Sequence, residues 1–224
     1  MVENETIEGF QGIGPTDFVY LSHKKLAVFW SEIKEKISDK VIGIAGCGGL
    51  GSNAAMALAR VGIKHFVLVD FDLIDETNLN RQYFFRHQLG KKKVHELAVN
   101  MLAVNPDIQI HCHDTRLEPG SVQQIFNQCH LIIEAFDTAE AKQMLAESVI
   151  TLWPGKPLIM GIGMAGVGSN GLIKQVQWDN QVYVCGDMIT EIAENEPPLA
   201  PRVAVVANMQ ANLALELLLK QDFE

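Results

Sequence analysis

Residues 40–51 read KVIGIAGCGGLG and contain the strongest indication of the fold. The first six residues are mostly apolar and β-branched, and apolar residues on both faces predict a buried strand. Gly46, Gly48 and Gly51 follow at the GxGxxG spacing, and Asn53–Val61 then has the composition of a strong helix former. A strand, a glycine turn and a helix in this order favour a phosphate site, because side chains at these glycines would keep a phosphate from the amide groups at the helix N-terminus.

Outward from this turn, short apolar strands alternate with amphipathic helices. His65–Val69 is a second buried strand and ends at Asp70. Further strands are predicted at Asp107–Cys112, His130–Ala135 and Pro157–Gly161, with helices at Lys92–Asn105, Ser121–Gln128 and Ala139–Leu152. This alternation predicts an α/β fold, a Rossmann-like and mainly parallel sheet with helices on both faces.

The character of the sequence changes after Gly161. Five glycines lie within Gly161–Gly171, and Leu172–Trp178 then alternates like a strand. A polar, acidic stretch, Cys185–Pro201, precedes a long apolar helix predicted over Arg202–Leu219. We expect a smaller, partly antiparallel C-terminal region within the same domain. The predicted organisation is an N-terminal arm and helix (1–39, with the helix over His23–Ser38), a nucleotide-binding core (40–161) and a carrier-binding region with the C-terminal helix (162–224).

Composition and charge exclude several classes of protein. The chain has 224 residues and a formal net charge of −9, which argues against a nucleic-acid coat or a binder of anionic membranes. Its four cysteines form no CxxC pair, so no structural zinc is expected, and they are too sparse for a disulfide scaffold. Residues 1–14 carry no basic residue and do not resemble a secretory signal. The C-terminal apolar stretches are interpreted as too short to span a bilayer, so we expect a cytoplasmic protein.

A carboxylate and a group of polar residues follow the glycine turn at sequence separations that are typical of a nucleotide site. Asp70 ends the second strand nineteen residues after Gly51, where a carboxylate accepts hydrogen bonds from ribose hydroxyls. NAD, FAD and ATP all fit a glycine turn followed by a ribose-binding carboxylate. Asn78, Arg81 and Lys93 are not needed for hydride transfer, but they suit a site that neutralises charge developing on phosphates. The sequence therefore favours cleavage between phosphates.

At these residues the chain resembles a known superfamily. GCGGLGS at 46–52, VDFD at 69–72, TNLNRQ at 77–82 and the downstream lysine resemble the ThiF/MoeB/HesA enzymes, which activate ubiquitin-like sulfur carriers with ATP and are related to ubiquitin-activating enzymes. The resemblance runs from about Lys40 to the C-terminal helix. The length and the PLAPR sequence at 198–202 look most like the short ThiF branch, the adenylyltransferases of thiamine-thiazole sulfur carriers.

The resemblance implies roles for individual residues. ATP contacts are implied for Gly46, Gly48, Gly49, Gly51, Asp70, Asn78, Arg81, Gln82 and Lys93. Among them Asp70 would bind the ribose, and Arg81 and Lys93 would contact the phosphates. Lys93 is preferred to its two neighbouring lysines because it stands three residues after Gly90. Asp137 matches the aspartate that holds Mg²⁺, so Arg81, Lys93 and Asp137 are the expected catalytic residues. Asp137 also stands where it would cap the following helix, and the two roles are compatible.

The implied reaction is ATP-dependent adenylation of the C-terminal Gly-Gly carboxylate of a small ThiS-like carrier, with release of pyrophosphate, in thiamine thiazole biosynthesis. Expected partners are that carrier, a sulfurtransferase or desulfurase, and a second copy of the chain in a homodimer. The glycines of Gly161–Gly171 suit contact with a flexible Gly-Gly tail. Bulky residues at Gly163 or Gly166 are therefore expected to weaken carrier binding and spare ATP binding.

One departure from the family pattern and one cysteine leave alternatives open. The family commonly has an arginine in the N-terminal helix that reaches the partner subunit's active site, but the first arginine here is Arg60, with Lys24, Lys25 or Arg202 as candidate substitutes. Cys185 is either a thiol that forms a covalent intermediate with the carrier or a small buried residue.

Four other functions remain alternatives. Two keep the chemistry but change the substrate, namely adenylation of a molybdopterin-type sulfur carrier and the reaction of a tRNA-modifying relative. The others are a non-catalytic nucleotide-binding partner subunit and a nicotinamide-dependent oxidoreductase.

Overall fold

The computed structural model describes residue 30 and residues 32–220. Residues 30 and 32–36 are helical, and residues 37–39 form a turn. The predicted N-terminal arm and most of the helix predicted over His23–Ser38 lie outside the described residues, as do Lys24 and Lys25. Residues 36–220 belong to one compact unit, which holds the sheet and the candidate site.

Strands and helices alternate through the first two thirds of this unit. The strands are β1 (Val41–Ala45), β2 (His65–Asp70), β3 (Gln109–Asp114), β4 (Leu131–Glu134), β5 (Leu158–Gly161), β6 (Lys174–Gln177) and β7 (Val182–Gly186). The helices are α1 (Gly49–Val61), α2 (Lys93–Val104), α3 (Pro119–Phe126), α4 (Ala139–Leu152) and α5 (Ala200–Lys220). Short 3₁₀ turns lie at Glu76–Asn78, Arg86–Gln88 and Asn170–Leu172.

The described strands form one sheet with the order β3-β2-β1-β4-β5-β7-β6. All neighbouring strands are parallel except β6 and β7, which are antiparallel at the edge. The predicted mainly parallel α/β fold with a partly antiparallel C-terminal region is thereby confirmed. Because β1 pairs with both β2 and β4, the chain leaves β1 in one direction and returns on its other side. Ligands of open α/β sheets bind at such a switch point, beyond the carboxyl ends of the strands.

Both faces of the central strands are covered, as their doubly apolar sequences predicted. On one face Val67, Val69 and Ile132 belong to a cluster with Phe126 of α3 and Leu145 of α4. The alternate residues of the same strands are also fully or almost fully buried, and α1 packs against both α2 and α5. The glycine turn is therefore anchored to the packed centre of the sheet.

Among the described strands, β7, which lies between β5 and β6, is the one that the sequence did not predict. Its five residues, VYVCG, overlap the start of the polar stretch Cys185–Pro201. The apolar run before Cys185 is only three residues long, Val182–Val184, and such a short run is a weak strand pattern. Parallel pairing with β5, which aligns Gly161 with Cys185, fixes its place.

The C-terminal helix is longer than predicted. Ala200–Leu219 is long and apolar enough to cross a membrane by length and composition, so the expectation that the C-terminal apolar stretches are too short was wrong. Half of this segment is buried inside the protein, where it packs on α1. A core helix passes the same test, so the apolar character is accounted for by packing.

Candidate functional site

Two glycines of the turn are required by the turn itself. Gly46 has a φ of +98°, a left-handed conformation that favours glycine, and a Cβ there would meet the carbonyl oxygen of Ala135 at 2.8 Å. A Cβ on Gly51 would lie far inside van der Waals contact of the Gly46 carbonyl oxygen. These two positions therefore let the backbone turn sharply from β1 into α1.

The other two glycines lie where the turn opens. A Cβ on Gly48 would have the side-chain amide nitrogen of Gln82 as its nearest neighbour, at 3.7 Å, so no described residue forces glycine there. Gly49 faces Val203 of α5, whose Cγ1 would be 3.1 Å from an added Cβ. At Gly48 the backbone at the N-terminus of α1 is therefore not crowded, and amide groups and the helix dipole at such a place favour an anion.

Asp70 braces the turn from the end of β2. Its carboxylate accepts hydrogen bonds from the backbone N–H of Cys47 at 2.6 Å and of Asp72 at 2.8 Å. Burial raises the pKa of the Asp70 carboxyl, while these hydrogen bonds and the charge of Lys93 oppose that rise. Each carboxylate oxygen accepts more than one hydrogen bond, so the predicted ribose contact is compatible with the brace.

Of the three consecutive lysines, Lys93 is the buried one. It is the first residue of α2, and its Nζ lies 2.8 Å from a carboxylate oxygen of Asp72. Lys91 pairs with Glu96 and Lys92 with Asp114. The charge of Lys93 thus lies beside the Asp70–Asp72 corner.

Asn78 shapes the loop that follows β2. Its side-chain oxygen accepts from the backbone N–H of Asp75 at 3.0 Å, and its carbonyl accepts from the N–H groups of Arg81 and Gln82. The Asp75 carboxylate in turn accepts from Thr77, which closes a capping box around the 3₁₀ turn. The structure therefore shows Asn78 fixing the loop geometry, and its predicted place near a triphosphate stays a prediction.

Arg81 is tied to the glycine turn by a residue that the sequence analysis did not single out. The side-chain amide of Asn53 in α1 donates to the Gly49 carbonyl at 2.7 Å and to the Arg81 carbonyl at 2.9 Å. The Arg81 guanidinium donates to Thr77 and Asn80 within its own loop. Asparagine is a poor helix former, and its place in the first turns of α1 was the only local hint of this role.

The charge of Arg81 is coupled to Asp137 across the site. Burial lowers the pKa of the Arg81 guanidinium, and the negative charge of Asp137 raises it. Asp137 follows β4 and is exposed. The cap of α4 is Thr138, whose hydroxyl accepts from the backbone N–H of Ala141, so the suggested N-cap role of Asp137 was wrong. Its carboxylate is therefore not taken up by the start of the helix.

Gln82 carries an unsatisfied polar atom at the open part of the turn. Its side chain is buried, and its Oε1 has no hydrogen-bond partner among the described residues. A buried acceptor without a donor costs free energy, about 1–3 kcal/mol. A ligand that offers a hydroxyl or a bound water next to Gly48 would remove this cost.

A buried ion pair lies next to the loop that carries Asp137, and it was not predicted from the sequence. Glu134 ends β4 and is fully buried, and its carboxylate lies 2.9 Å from the Nζ of Lys142 in α4. The backbone N–H of Phe136 also donates to this carboxylate, at 2.6 Å. The two partners are eight residues apart and belong to different elements, a strand and a helix, so no strand pattern or motif in the sequence predicted the pair.

In the glycine-rich segment, two glycines are needed for reasons internal to the fold. Gly163 and Gly166 have φ values of +80° and +82°. A Cβ on Gly163 would overlap the Asp187 carboxylate, and one on Gly166 would meet Glu196 at 2.8 Å. Bulky residues at these two positions would also disturb the fold, so substitutions there do not separate carrier binding from folding, and the expected effect on carrier binding stays a prediction. Gly168 and Gly171 have open space around them.

Beside this segment lies a small cavity of about 80 Å³. Arg202 lines it and is buried, with its guanidinium paired to Asp187 and donating to the Gly168 carbonyl. Burial alone would raise the pKa of the Asp187 carboxyl, but hydrogen bonds from Thr190, Ile189 and Arg202 hold it below its ordinary value. The Arg202 guanidinium is thus bound within this chain, so the geometry does not favour Arg202 as a substitute for the N-terminal arginine.

Cys185 is not brought to the site. It lies within β7 with no exposed surface, and burial raises the pKa of its thiol to about 12. A thiol that stays protonated is a poor nucleophile. The buried-residue interpretation of Cys185 fits this geometry, and the covalent role does not.

The comparisons with known proteins agree with this geometry. A sequence model of the ThiF family matches residues 20–224. The chain is 29% identical over 129 residues to the probable adenylyltransferase/sulfurtransferase MoeZ of Mycobacterium tuberculosis, a match that covers 57% of this chain and 32% of that protein. It is 34% identical over 123 residues to the adenylyltransferase and sulfurtransferase Uba4 of Aspergillus niger, covering 54% and 25%. The matches thus span a quarter to a third of these relatives.

A solved structure shares the fold over almost the whole chain. The tRNA N6-threonylcarbamoyladenosine dehydratase TcdA of E. coli, in complex with AMP, superimposes with a TM-score of 0.79 at 21% identity. The superposition covers 86% of this chain and 91% of TcdA. At this identity the likeness establishes the fold alone.

Proposed function

Because the chain belongs to the ThiF family, we propose that it adenylates the C-terminal carboxylate of a small ubiquitin-like sulfur carrier with ATP. The products are a carrier acyl-adenylate and pyrophosphate. The names of the curated relatives support the adenylyltransferase activity. Those proteins are three to four times longer than the region matched here. The proposed activity of this chain therefore depends on the residues of its own candidate site.

One observation carries the proposal. The start of α1 at Gly48 follows β1, and the Lys93–Asp72 pair follows β2. Asp137, whose charge acts on the Arg81 guanidinium, follows β4, so all these groups come after the carboxyl ends of three adjacent strands. Cations and backbone N–H groups at such a place favour a polyphosphate. The exposed carboxylate of Asp137 adds the hard oxygen ligand that a nicotinamide site does not need.

The residues divide the work of the reaction between binding and charge stabilisation. Amide groups at the turn and Lys93 hold the triphosphate, and the Asp70 carboxylate accepts from a ribose hydroxyl. The Arg81 guanidinium opposes negative charge that develops on the α-phosphate as the carrier carboxylate attacks and pyrophosphate leaves. Catalysis then comes from alignment of the two reactants and from fixed positive charge, with no covalent bond to the enzyme.

Asp137 fits a Mg²⁺ ion as far as its donor chemistry goes. Mg²⁺ commonly takes one or two carboxylates, with phosphate oxygens and waters completing its shell. Asp137 is exposed and not engaged in capping α4, and the described residues hold no cluster of three or more His, Cys, Asp or Glu side chains that would bind a metal alone. When bound, Mg²⁺ would offset charge on the phosphates, and Asp137 would hold it.

We place the carrier tail on the open side of the glycine-rich segment. Gly168 and Gly171 leave their backbone accessible, and next to them lies the cavity lined by Arg202. Val167 and Ile189 on its rim are 82% and 76% exposed. Exposed apolar side chains around a groove with accessible backbone suit a protein tail of small residues.

Thiamine thiazole synthesis is our proposal for the pathway, on the resemblance to the short ThiF branch. A molybdopterin-type carrier is the second candidate. The third candidate substrate is a tRNA, because TcdA, by its name a tRNA-modifying enzyme, shares the fold. Homodimer assembly and a cytoplasmic location belong to the same proposal, and sedimentation at micromolar concentration tests the first.

Sulfur transfer onto the adenylate is assigned to a separate protein. Cys185 is buried, and Cys47 lies inside the turn with its pKa raised by burial. The relatives MoeZ and Uba4 are named as sulfurtransferases as well, but they extend well beyond the region matched here. A sulfurtransferase or desulfurase is therefore the expected second partner.

The test is incubation with ATP and purified candidate carriers, followed by intact mass measurement of the carrier. We expect one carrier that ends in Gly-Gly to gain the mass of AMP, and the same carrier without its last residue to gain none. ATP–pyrophosphate exchange that depends on the carrier excludes a non-catalytic subunit. Oxidation of a reduced nicotinamide, with no adduct on any carrier, would contradict the proposal.

A further inference from the structure

The buried carboxylate of Glu134 is bound on two sides at the end of β4. Its Oε1 accepts from the backbone N–H of Phe136 at 2.6 Å and from the Nζ of Lys142 at 3.0 Å, and its Oε2 accepts from the same Nζ at 2.9 Å. Phe136 is the residue immediately before Asp137. The carboxylate of Glu134 therefore fixes the backbone from which Asp137 projects.

Lys142 extends this arrangement to the next strand. Besides the carboxylate, its ammonium donates to the carbonyl oxygen of Gly161 at 2.9 Å. Gly161 ends β5 and is the first residue of the glycine-rich segment. One ammonium group thus joins the Asp137 loop to the segment on which we place the carrier tail. We call Glu134, Lys142 and the Gly161 carbonyl the Glu134–Lys142 clamp.

A neutral amide holds the backbone on the other side of the clamp. The side chain of Gln210 in α5 donates to the main-chain carbonyls of Glu134, at 3.1 Å, and of Ile159, at 3.4 Å. This amide brings no charge, and Lys142 is the cation that compensates the Glu134 carboxylate. Strands β4 and β5 are therefore cross-linked near their carboxyl ends by side chains from two different helices.

A buried ion pair is an expensive way to stabilise a fold. Desolvation of the two ions often outweighs their attraction, and well-packed apolar residues commonly replace such a pair without loss of stability. Burial raises the pKa of the Glu134 carboxyl, in keeping with this cost, while Lys142 opposes the rise. The pair's position, between two loops that flank the reacting groups, points to a role beyond stability.

We propose that the Glu134–Lys142 clamp is a positioning device that sets the Asp137 loop and the glycine-rich segment in a fixed mutual geometry. Glu134 and Lys142 act through Asp137 and through the Gly161 backbone, and they touch neither reactant. The inference rests on the proposed function only for the ligands of the two segments, namely the metal at Asp137 and the carrier tail at the glycine-rich segment. The mechanical link between the segments is a separate statement about the protein alone.

The test compares two variants that both remove a bridging lysine. Glu134→Gln with Lys142→Met keeps an acceptor oxygen for the Phe136 N–H and avoids a lone buried charge. Lys156→Met is the matched control, because the half-buried Lys156 donates to the backbone carbonyls of Phe126 and Asn127 at the opposite ends of the strands. Circular dichroism and thermal unfolding establish that both variants fold.

Hydrogen exchange without substrates tests the link directly. In the double variant we expect backbone amides of residues 135–138 and of residues 161–166 to lose protection together, while Lys156→Met leaves both segments as in the wild type. Unchanged protection in the double variant, or a loss confined to one segment, would overturn the clamp. This readout does not depend on what reaction the protein catalyses.

Carrier-dependent ATP–pyrophosphate exchange tests the consequence for the reaction. Because small displacements of aligned groups cost up to about 100-fold in rate, we expect kcat of the double variant to fall by about 10- to 100-fold with KM for ATP little changed. An unchanged kcat in a double variant with altered hydrogen exchange would reduce the clamp to a structural role. Should the wild type itself show no exchange with any carrier, the proposed function fails, and hydrogen exchange still decides the clamp.

Discussion

At the scale of single residues, the glycine turn contains two kinds of glycine that look identical in the sequence. Gly46 and Gly51 are required because neighbouring backbone carbonyls leave no room for a Cβ. Among the described residues nothing requires glycine at position 48, because the space beside it takes a Cβ in ordinary van der Waals contact with the Gln82 side chain. We interpret that space as the phosphate site, and this distinction is testable.

The first prediction separates folding from ligand binding at these glycines. Gly51→Ala places a methyl group against the Gly46 carbonyl and is expected to lower the free energy of unfolding by about 3 kcal/mol or more. Gly48→Ala, with a φ of −79° at that position, is expected to change stability by less than about 1 kcal/mol. ATP affinity of Gly48→Ala should fall about tenfold, the equivalent of one hydrogen bond.

Urea unfolding and calorimetric titration of ATP measure the two effects. A Gly48→Ala variant that binds ATP like the wild type would show that the open space beside Gly48 is not the phosphate site.

Arg81 supplies the second prediction. Arg81→Ala removes the cation nearest to the developing charge, and we expect the rate of carrier adenylation to fall by about 100-fold or more. Arg86→Ala is the control, because Arg86 forms only an exposed ion pair with Glu76, with 79% of its side chain accessible. Single-turnover formation of the carrier adenylate measures both. Equal rates for the two variants would remove Arg81 from the mechanism.

At the scale of elements, the start of α5 is pinned to the loop after β7 by Asp187 and Arg202. Asp187 also accepts from the backbone of Ile189 and Thr190, so one carboxylate organises the whole turn. The guanidinium reaches across to the carbonyl of Gly168. The shape of the proposed tail site therefore depends on this single buried pair.

The pair leads to a prediction about pH. Since the folded-state pKa of Asp187 is lowered, its contribution to stability is present above the ordinary aspartate pKa and is lost as the pH falls through the folded-state value. Asp187→Asn is expected to lose about 3 kcal/mol at pH 7, because Arg202 is left without its counter-ion. The difference from the wild type should shrink below about pH 4.

Urea unfolding at several pH values between neutral and acid measures this difference. A gap that stays constant down to the acid limit would mean that the Asp187 carboxylate contributes no charge-dependent stability.

The glycine-rich segment gives a prediction for the carrier. Gly171→Leu fills open space without a strained backbone, and we expect it to raise KM for the carrier while KM for ATP stays unchanged. Gly120→Leu, in equally open space at the start of α3, serves as the control. Carrier titrations in the exchange assay measure the effect. If Gly171→Leu and Gly120→Leu behave alike, the carrier tail does not pass this segment.

At the scale of the whole molecule, the sequence predicted what depends on local order along the chain. The β1–turn–α1 unit, the strand ends that carry Asp70 and Asp137, and the order of alternating elements were predicted because neighbouring residues determine them. The antiparallel edge was predicted from the alternation after the glycines. These features place the candidate site, and the structure confirms the fold that holds them.

What the sequence did not predict depends on contacts between distant residues. Gln210 reaches Glu134 across 76 positions, and Asn53 reaches Arg81 across 28. Both are single polar residues in helices, and the apolar periodicity that predicts a helix gives no information about the contacts of such residues. Strand β7 was missed for a similar reason, since its place is set by pairing with β5 and not by a clear local pattern. The parts of the site that position other parts are therefore visible only in three dimensions.

We expect one triphosphate to lie over the turn at Gly48, within reach of Arg81, Lys93 and Asp137. A crystal structure with a non-hydrolysable ATP analogue and Mg²⁺ would locate it. We expect phosphate oxygens at hydrogen-bonding distance from the backbone N–H groups at the start of α1 and from the Arg81 guanidinium, with the metal on Asp137. A nucleotide bound elsewhere, or phosphates that leave all three side chains untouched, would contradict it.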